Sequence, residues 1–202
     1  MITLPKLLFR GDNDKCNKRL LKSTFNSELF MTNLISGGNG REIFSSSIGQ
    51  LVNNHITTGW DKTHFLSFST DEQRAFYYGS EGKPFNDVLY ENENWDFAVL
   101  TFDTSLLIPE SIKEIERGIY SAQFIPSCNE FLPTFKVILI DTHSHLKSIV
   151  SKNSFDLTTA ITKADNDKEW LILPATPFNH QGEFTAKLDA HCITDKRVYR
   201  YE

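Results

Sequence analysis

The run from His64 to Gly79 constrains the fold more than any other stretch, because it carries a strand, a helix cap and a helix with no linker between them. His64-Phe65-Leu66-Ser67-Phe68-Ser69 alternates as a strand with Phe65 facing inward. Thr70 is placed to cap a helix, and Gln73, three residues on, completes a capping box. Asp71 and Glu72 fall in the positively polarised first turn. The helix predicted over 71–78 then stops at Gly79.

The remaining elements are read around this junction. A strand over Lys6–Arg10 is expected to stop at the turn formers Gly11-Asp12-Asn13-Asp14. Leu20, Leu21, Phe25, Leu29 and Phe30 recur at near-helical spacing, and Ser36 to Gly40 reads as a loop. A helix over 41–57 carries Ile43, Phe44, Ile48, Leu51, Val52 and His55 on one face. Strands are predicted at 97–102, 119–124, 135–140, 170–173, 184–193 and 197–201, and short helices at 110–117, 142–150 and 156–163. Helices thus gather in the N-terminal half and strands in the C-terminal half, without regular βαβ alternation. That order predicts an α+β fold. With no repeat and no Pro/Gly/Ser-rich linker, residues 1–202 are expected to form one domain.

Composition closes off several function classes. The net charge of −5 weighs against broad attraction to nucleic acid or anionic membrane, while leaving room for a local basic groove. Three scattered cysteines make no disulfide framework and fit a reducing compartment, or at most one bridge. The apolar start of the chain is too short for a signal-peptide core and is broken by Pro5 and Lys6. No apolar run approaches the ~18–20 residues of a membrane span. The expectation is a cytoplasmic protein, or one delivered into a target cell without a cleavable signal. His143 and His145 lack a third ligand at a diagnostic spacing and no Cys pair is C-x-x-C, so no metal is expected. Gly-x-Ser-x-Gly is absent, and the glycines of 36–40 lack the Lys-Ser/Thr of a phosphate loop.

Three polar pieces attached to strands remain. Phe9-Arg10-Gly11 offers a guanidinium fork suited to phosphate, beside a glycine that lets backbone approach a ligand. Ser67 and Ser69, at i and i+2 of one strand, share a face. Asp167-Lys168-Glu169 leads into the apolar run Trp170-Leu171-Ile172-Leu173-Pro174, and its two carboxylates are expected to point to the same side.

In this order the three pieces resemble the ADP-ribosyltransferase superfamily, in the Arg-Ser-Glu branch that includes the cholera- and pertussis-type toxins. Phe9-Arg10 is similar to the aromatic-Arg pair that ends the family's first strand. Phe65-Leu66-Ser67-Phe68-Ser69 resembles its aromatic-x-Ser-Thr-Ser strand, with Phe68 where the family has Thr. Asp167-Lys168-Glu169 resembles its Glu/Gln-x-Glu, with a carboxylate one methylene shorter at the first position. The likeness touches about a fifth of the chain. Glu130, in Asn129-Glu130-Phe131-Leu132-Pro133, competes as catalytic glutamate but stands on a shorter run cut by Pro133.

The resemblance implies split, mostly antiparallel sheets forming an NAD cleft with flanking helices. It implies a mono-ADP-ribosyltransferase that cleaves the nicotinamide–ribose bond of NAD, of the kind found in toxins and phage-related effectors. ADP-ribose would pass to a macromolecular acceptor, a protein side chain such as arginine or a nucleic acid. Glu169 would stabilise the oxocarbenium-like transition state, Arg10 would hold the phosphates, Ser67 would support Glu169 or the ribose, and Asp167 would bear on the acceptor. Gly11, Phe68, Ser69 and Trp170 would line the NAD site. A neutralising antitoxin or immunity protein is the implied partner, with no membrane involved. The other readings are an NAD glycohydrolase and an inactive binding module on the same fold.

Overall fold

Strand β5 (Phe97–Asp103) shows why this chain folds as it does. Its first six residues are all buried, so both of its faces must be covered. Because strand side chains alternate, Ala98, Leu100 and Phe102 enter one core, with Leu8, Phe68, Phe124, Leu139 and Ile172. Phe97 and Val99 enter a second, with Ala75, Tyr199 and the partly buried Phe9 and Phe76. Phe102 meets Phe68 and Phe124 edge to face at 5.9 and 5.3 Å, and Phe97 stacks on Tyr199 at 5.0 Å.

The computed structural model describes residues 2–13, 29–30, 52, 55–56, 65–83, 88–90, 96–124, 135–150, 157–175, 187–188 and 193–201. In chain order they form β1 (Leu7–Asn13), β2 (Leu29–Phe30), β3 (Leu66–Ser69), α1 (Glu72–Gly79), β4 (Val88–Tyr90), β5, β6 (Lys113–Glu116), β7 (Ile119–Phe124), β8 (Phe135–Asp141), α2 (Thr142–Val150), α3 (Thr158–Asp167), β9 (Glu169–Ala175), β10 (Lys187–Leu188) and β11 (Ile193–Tyr201). Nine strands make one sheet in the order β4-β11-β5-β1-β3-β9-β8-β7-β6, and β2 pairs with β10 separately. The pairings are antiparallel, so the fold is α+β with few helices around an antiparallel sheet. The sheet is pinched at one place: β1 and β3 are joined by the single pair Phe9↔Ser69, whereas β1 and β5 pair along their whole length. No described helix is long and apolar enough to cross a membrane.

Several expectations need correction. Strand β1 does not stop at Gly11 but continues through Asn13, because β5 supplies partners for Gly11, Asp12 and Asn13. The predicted helix over 110–117 is a 3-10 turn at Pro109–Ser111 followed by strand β6. There Gly118 turns the chain at φ +77° while its N–H donates to Glu114 Oε1 at 3.0 Å, and β7 offers β6 a ladder. Leu29 and Phe30 are strand, paired with Leu188 and Lys187. Among the described residues, helix is present at 52, at 55–56 and in α1 in the N-terminal half, and in α2 and α3 in the C-terminal half. Phe65, Phe68, Phe97 and Phe102 are buried core. Most of the helix read over 41–57, the rest of 15–35, most of the strand read over 184–193 and Glu130 lie outside the described residues.

Helix α1 is capped by Asp71 rather than Thr70. The Asp71 carboxylate accepts from the Gln73 N–H at 3.0 Å, while the Thr70 N–H is spent on the Lys168 carbonyl at 3.2 Å. The Lys168 ammonium, 3.0 Å from Asp71 Oδ2, holds that carboxyl below the usual carboxylate range. On α2 the two histidines part company. His143 pairs with Asp165 at 3.1 Å, and His145 is buried beneath the β6–β7 turn with Nδ1 3.3 Å from the Arg117 carbonyl. Burial pulls the His145 pKa below its ordinary value of 6.5. The unfolded chain therefore takes up this proton first, and stability declines as pH falls below that value. Melting temperatures between about pH 7.5 and 5 should show the decline, and His145→Leu should remove its share of the slope.

Candidate active site

Strands β3 and β9 pair in the register Ser67↔Leu171, Phe68↔Trp170 and Ser69↔Glu169. Residues opposite each other project to the same face, so Ser67, Ser69 and Glu169 share one side of the sheet and Phe68 and Trp170 the other. Trp170 stacks on Tyr120 at 6.0 Å, and Phe68 is 3% exposed in the core. Neither belongs to the Glu169 face. The cause is the two-residue period of a strand.

Arg10 reaches this strand from across the pinch in the sheet. Its Nη1 donates to the Ser67 carbonyl at 3.0 Å and its Nε to Asp12 Oδ2 at 3.2 Å. Asp12 is fully buried, so the guanidinium is both charge-compensated and aimed. Gly11, between them, serves packing rather than a ligand. A Cβ there would run into the Ala75 carbonyl of α1 and stand 2.5 Å from the Gly79 nitrogen. Ser69 is also spent on structure: its Oγ donates to the Asp167 carbonyl at 2.7 Å and accepts from the Asp71 N–H at 3.0 Å.

The two acidic residues are not a strand pair. Asp167 ends α3, Lys168 turns the chain in the left-handed region at φ 46°, and Glu169 opens β9. Asp167 therefore lies off the strand that Glu169 opens, because the left-handed residue between them breaks strand geometry. Asp167 Oδ2 instead accepts from the Tyr78 hydroxyl at 2.6 Å.

A residue counted in the sequence only as part of a helix's apolar face joins the site. His55 is 5% exposed, with its ring edge-on to Phe65 at 5.6 Å. Its Nε2 stands 3.2 Å from Ser67 Oγ and 3.9 Å from Glu169 Oε1. The signal was a lone histidine among Ile43, Phe44, Ile48, Leu51 and Val52, which is indistinguishable from a core position until the partner strand is known. Serine and glutamate approach the same ring nitrogen, and Nδ1 is buried without a partner among the described residues. This differs from a hydrolase relay, where the nucleophilic hydroxyl and the orienting carboxylate use opposite nitrogens of the histidine. Glu169 keeps 22% of its side chain exposed, so its carboxylate faces solvent beside a hydroxyl and an imidazole. Among the described residues no three His, Cys, Asp or Glu side chains gather to hold a metal ion.

No family model matches the chain, and neither curated proteins nor solved structures give a match.

Proposed function

We propose that the chain is a mono-ADP-ribosyltransferase whose site is built from Arg10, Ser67 and Glu169. One observation carries the reading. Three segments distant in sequence converge on β3, with Arg10 donating to the Ser67 carbonyl and Glu169 opening the strand paired beside Ser69. That convergence, in the order Arg, Ser, Glu, is what the resemblance leads one to expect. The single-pair junction between β1 and β3 supports it, since that is where a sheet can divide into the two halves of a cleft.

In the proposed reaction the bond between ribose C1′ and the nicotinamide nitrogen breaks, and nicotinamide leaves with the bonding pair. C1′ then bonds the acceptor's nucleophilic atom, and the acceptor's proton is released. The transition state carries positive charge on the ribose, which the Glu169 carboxylate stabilises. Ser67 and His55 hold that carboxylate's surroundings, and Arg10 engages the phosphates while Asp12 keeps its fork oriented.

The test is incubation of the purified chain with NAD labelled in its adenylate half, in desalted cell lysate, followed by protease or nuclease digestion of labelled product. Nicotinamide release with label on a macromolecule supports the reading, and the digestion names the acceptor class. Free ADP-ribose alone makes the protein a glycohydrolase. No nicotinamide release overturns the reading.

Arg10→Ala is expected to weaken NAD binding at least about tenfold by calorimetry. It should also cost stability, about 3 kcal/mol, because it removes the cation facing buried Asp12. Adding Asp12→Asn should recover part of the stability and none of the affinity. Unchanged affinity would remove Arg10 from the site.

A further inference from the structure

We propose that Tyr78 is a positioning residue that governs how bound NAD is divided between an acceptor and water, an inference that rests on the reading of the site given above. The junction between α3 and β9 is clasped to the junction between β3 and α1 by five contacts. Ser69 Oγ donates to the Asp167 carbonyl, the Thr70 N–H to the Lys168 carbonyl at 3.2 Å, and Arg74 Nε to the Asn166 carbonyl at 3.1 Å. Lys168 Nζ meets Asp71 at 3.0 Å. Those four hold backbone or the Lys168 side chain. The fifth, the Tyr78 hydroxyl donating to Asp167 Oδ2 at 2.6 Å, is the one that acts on the Asp167 carboxylate. Its length is that of a charge-assisted bond.

Removing the phenol oxygen therefore frees the carboxylate while the backbone beneath it stays tethered. Burial, and then the carboxylates of Asp167 and Glu169, push the Tyr78 phenol well above its ordinary range. It stays a protonated donor, within electrostatic reach of both acids. Tyr78 and its neighbour Tyr77 are each almost half exposed, so the held carboxylate lies where an incoming molecule arrives from solvent.

After C1′–N cleavage the ribosyl carbon bonds either the acceptor's nucleophile or a water oxygen, and each loses a proton. An acceptor must be oriented to compete, whereas water needs no docking. A fixed carboxylate orients the acceptor and receives its proton, and a loose one does neither.

The experiment compares wild type, Tyr78→Phe, Asp167→Asn and the double variant in desalted lysate with adenylate-labelled NAD, subtracting a lysate blank. Nicotinamide release gives total cleavage, and free ADP-ribose gives hydrolysis. Tyr78→Phe is expected to keep nicotinamide release within about threefold while the ratio of transfer to hydrolysis falls about tenfold. The double variant should shift that ratio no further than Asp167→Asn alone. A merely structural role would lower both products together, and that result, or an unchanged ratio, overturns the role of Tyr78 and leaves the site reading standing. Additive effects in the double variant overturn action through Asp167. A wild type that makes only free ADP-ribose overturns the inference and leaves cleavage intact. A wild type that releases no nicotinamide overturns both.

Discussion

Glu169→Gln is expected to lower nicotinamide release by roughly 100- to 1,000-fold while the protein stays folded. The substitution removes one negative charge at nearly constant volume, so what it subtracts is the field at the developing ribosyl cation. Stability should change little, because Glu169 keeps 22% of its side chain in solvent and its backbone pairing with Ser69 does not depend on the charge. Melting temperature and the circular dichroism spectrum serve as controls for the fold. His55 sharpens the test: its Nε2 lies 3.2 Å from Ser67 Oγ but 3.9 Å from Glu169 Oε1, beyond hydrogen-bond distance, so the substitution leaves the His55–Ser67 contact in place. Lost turnover in a variant that melts like wild type therefore reports electrostatics rather than collapse of the site. Near-wild-type turnover would sink the assignment, and a loss on Glu130→Gln instead would move it to that residue.

Gly11→Ala is expected to cost about 3 kcal/mol or more of folding stability, the upper range for forcing an atom into a filled core. The new Cβ would collide with the Ala75 carbonyl, and that oxygen belongs to helix backbone rather than to a side chain that can swing away. Gly79 faces Gly11 from α1 and is less confined: a Cβ there would stand 2.9 Å from the Phe97 ring and 3.3 Å from the Gly11 Cα. Relief would require α1 to lift from β1 and β5, opening the core of Ala75, Phe97, Val99 and Tyr199. For a chain of this size the melting temperature should fall by roughly 6–12 °C. This outcome separates two roles for one glycine. A glycine kept for ligand approach would lose affinity with stability intact, whereas a packing glycine loses stability first. An alanine variant that melts within a degree or two of wild type would contradict the packing role.

Much of the strand and helix pattern was legible without coordinates, and the reason is periodicity. The strand over 119–124 and the helix over 142–150 agree with β7 and α2 residue for residue, because alternating and 3.6-residue apolar spacing act locally. Failures gather where a distant partner outweighs local preference. Gly11-Asp12-Asn13 is turn-forming by composition and yet is strand, since β5 lies alongside it. Glu110 to Arg117 is helix-forming by composition and yet half of it is strand, since β7 completes its hydrogen bonds. The cap is Asp71 rather than Thr70, its carboxylate taking the Gln73 N–H, while the Thr70 N–H pairs with a carbonyl on a segment far along the chain.

The candidate site divides in the same way. Residue types and their order along the chain named Arg10, Ser67, Asp167 and Glu169, and nothing local to those motifs said how they face one another. Register then placed Ser69 opposite Glu169, sent Phe68 and Trp170 to the far side, and turned Ser69 and Gly11 into structural parts. His55 and Tyr78 entered only through contacts with β3 and α3. By itself the sequence determined which elements this protein builds and which polar groups they carry, because those follow from side-chain spacing over a few residues. Only the tertiary structure decided which groups meet, because strand register and the chain's turn at Lys168 are held by segments far along the chain.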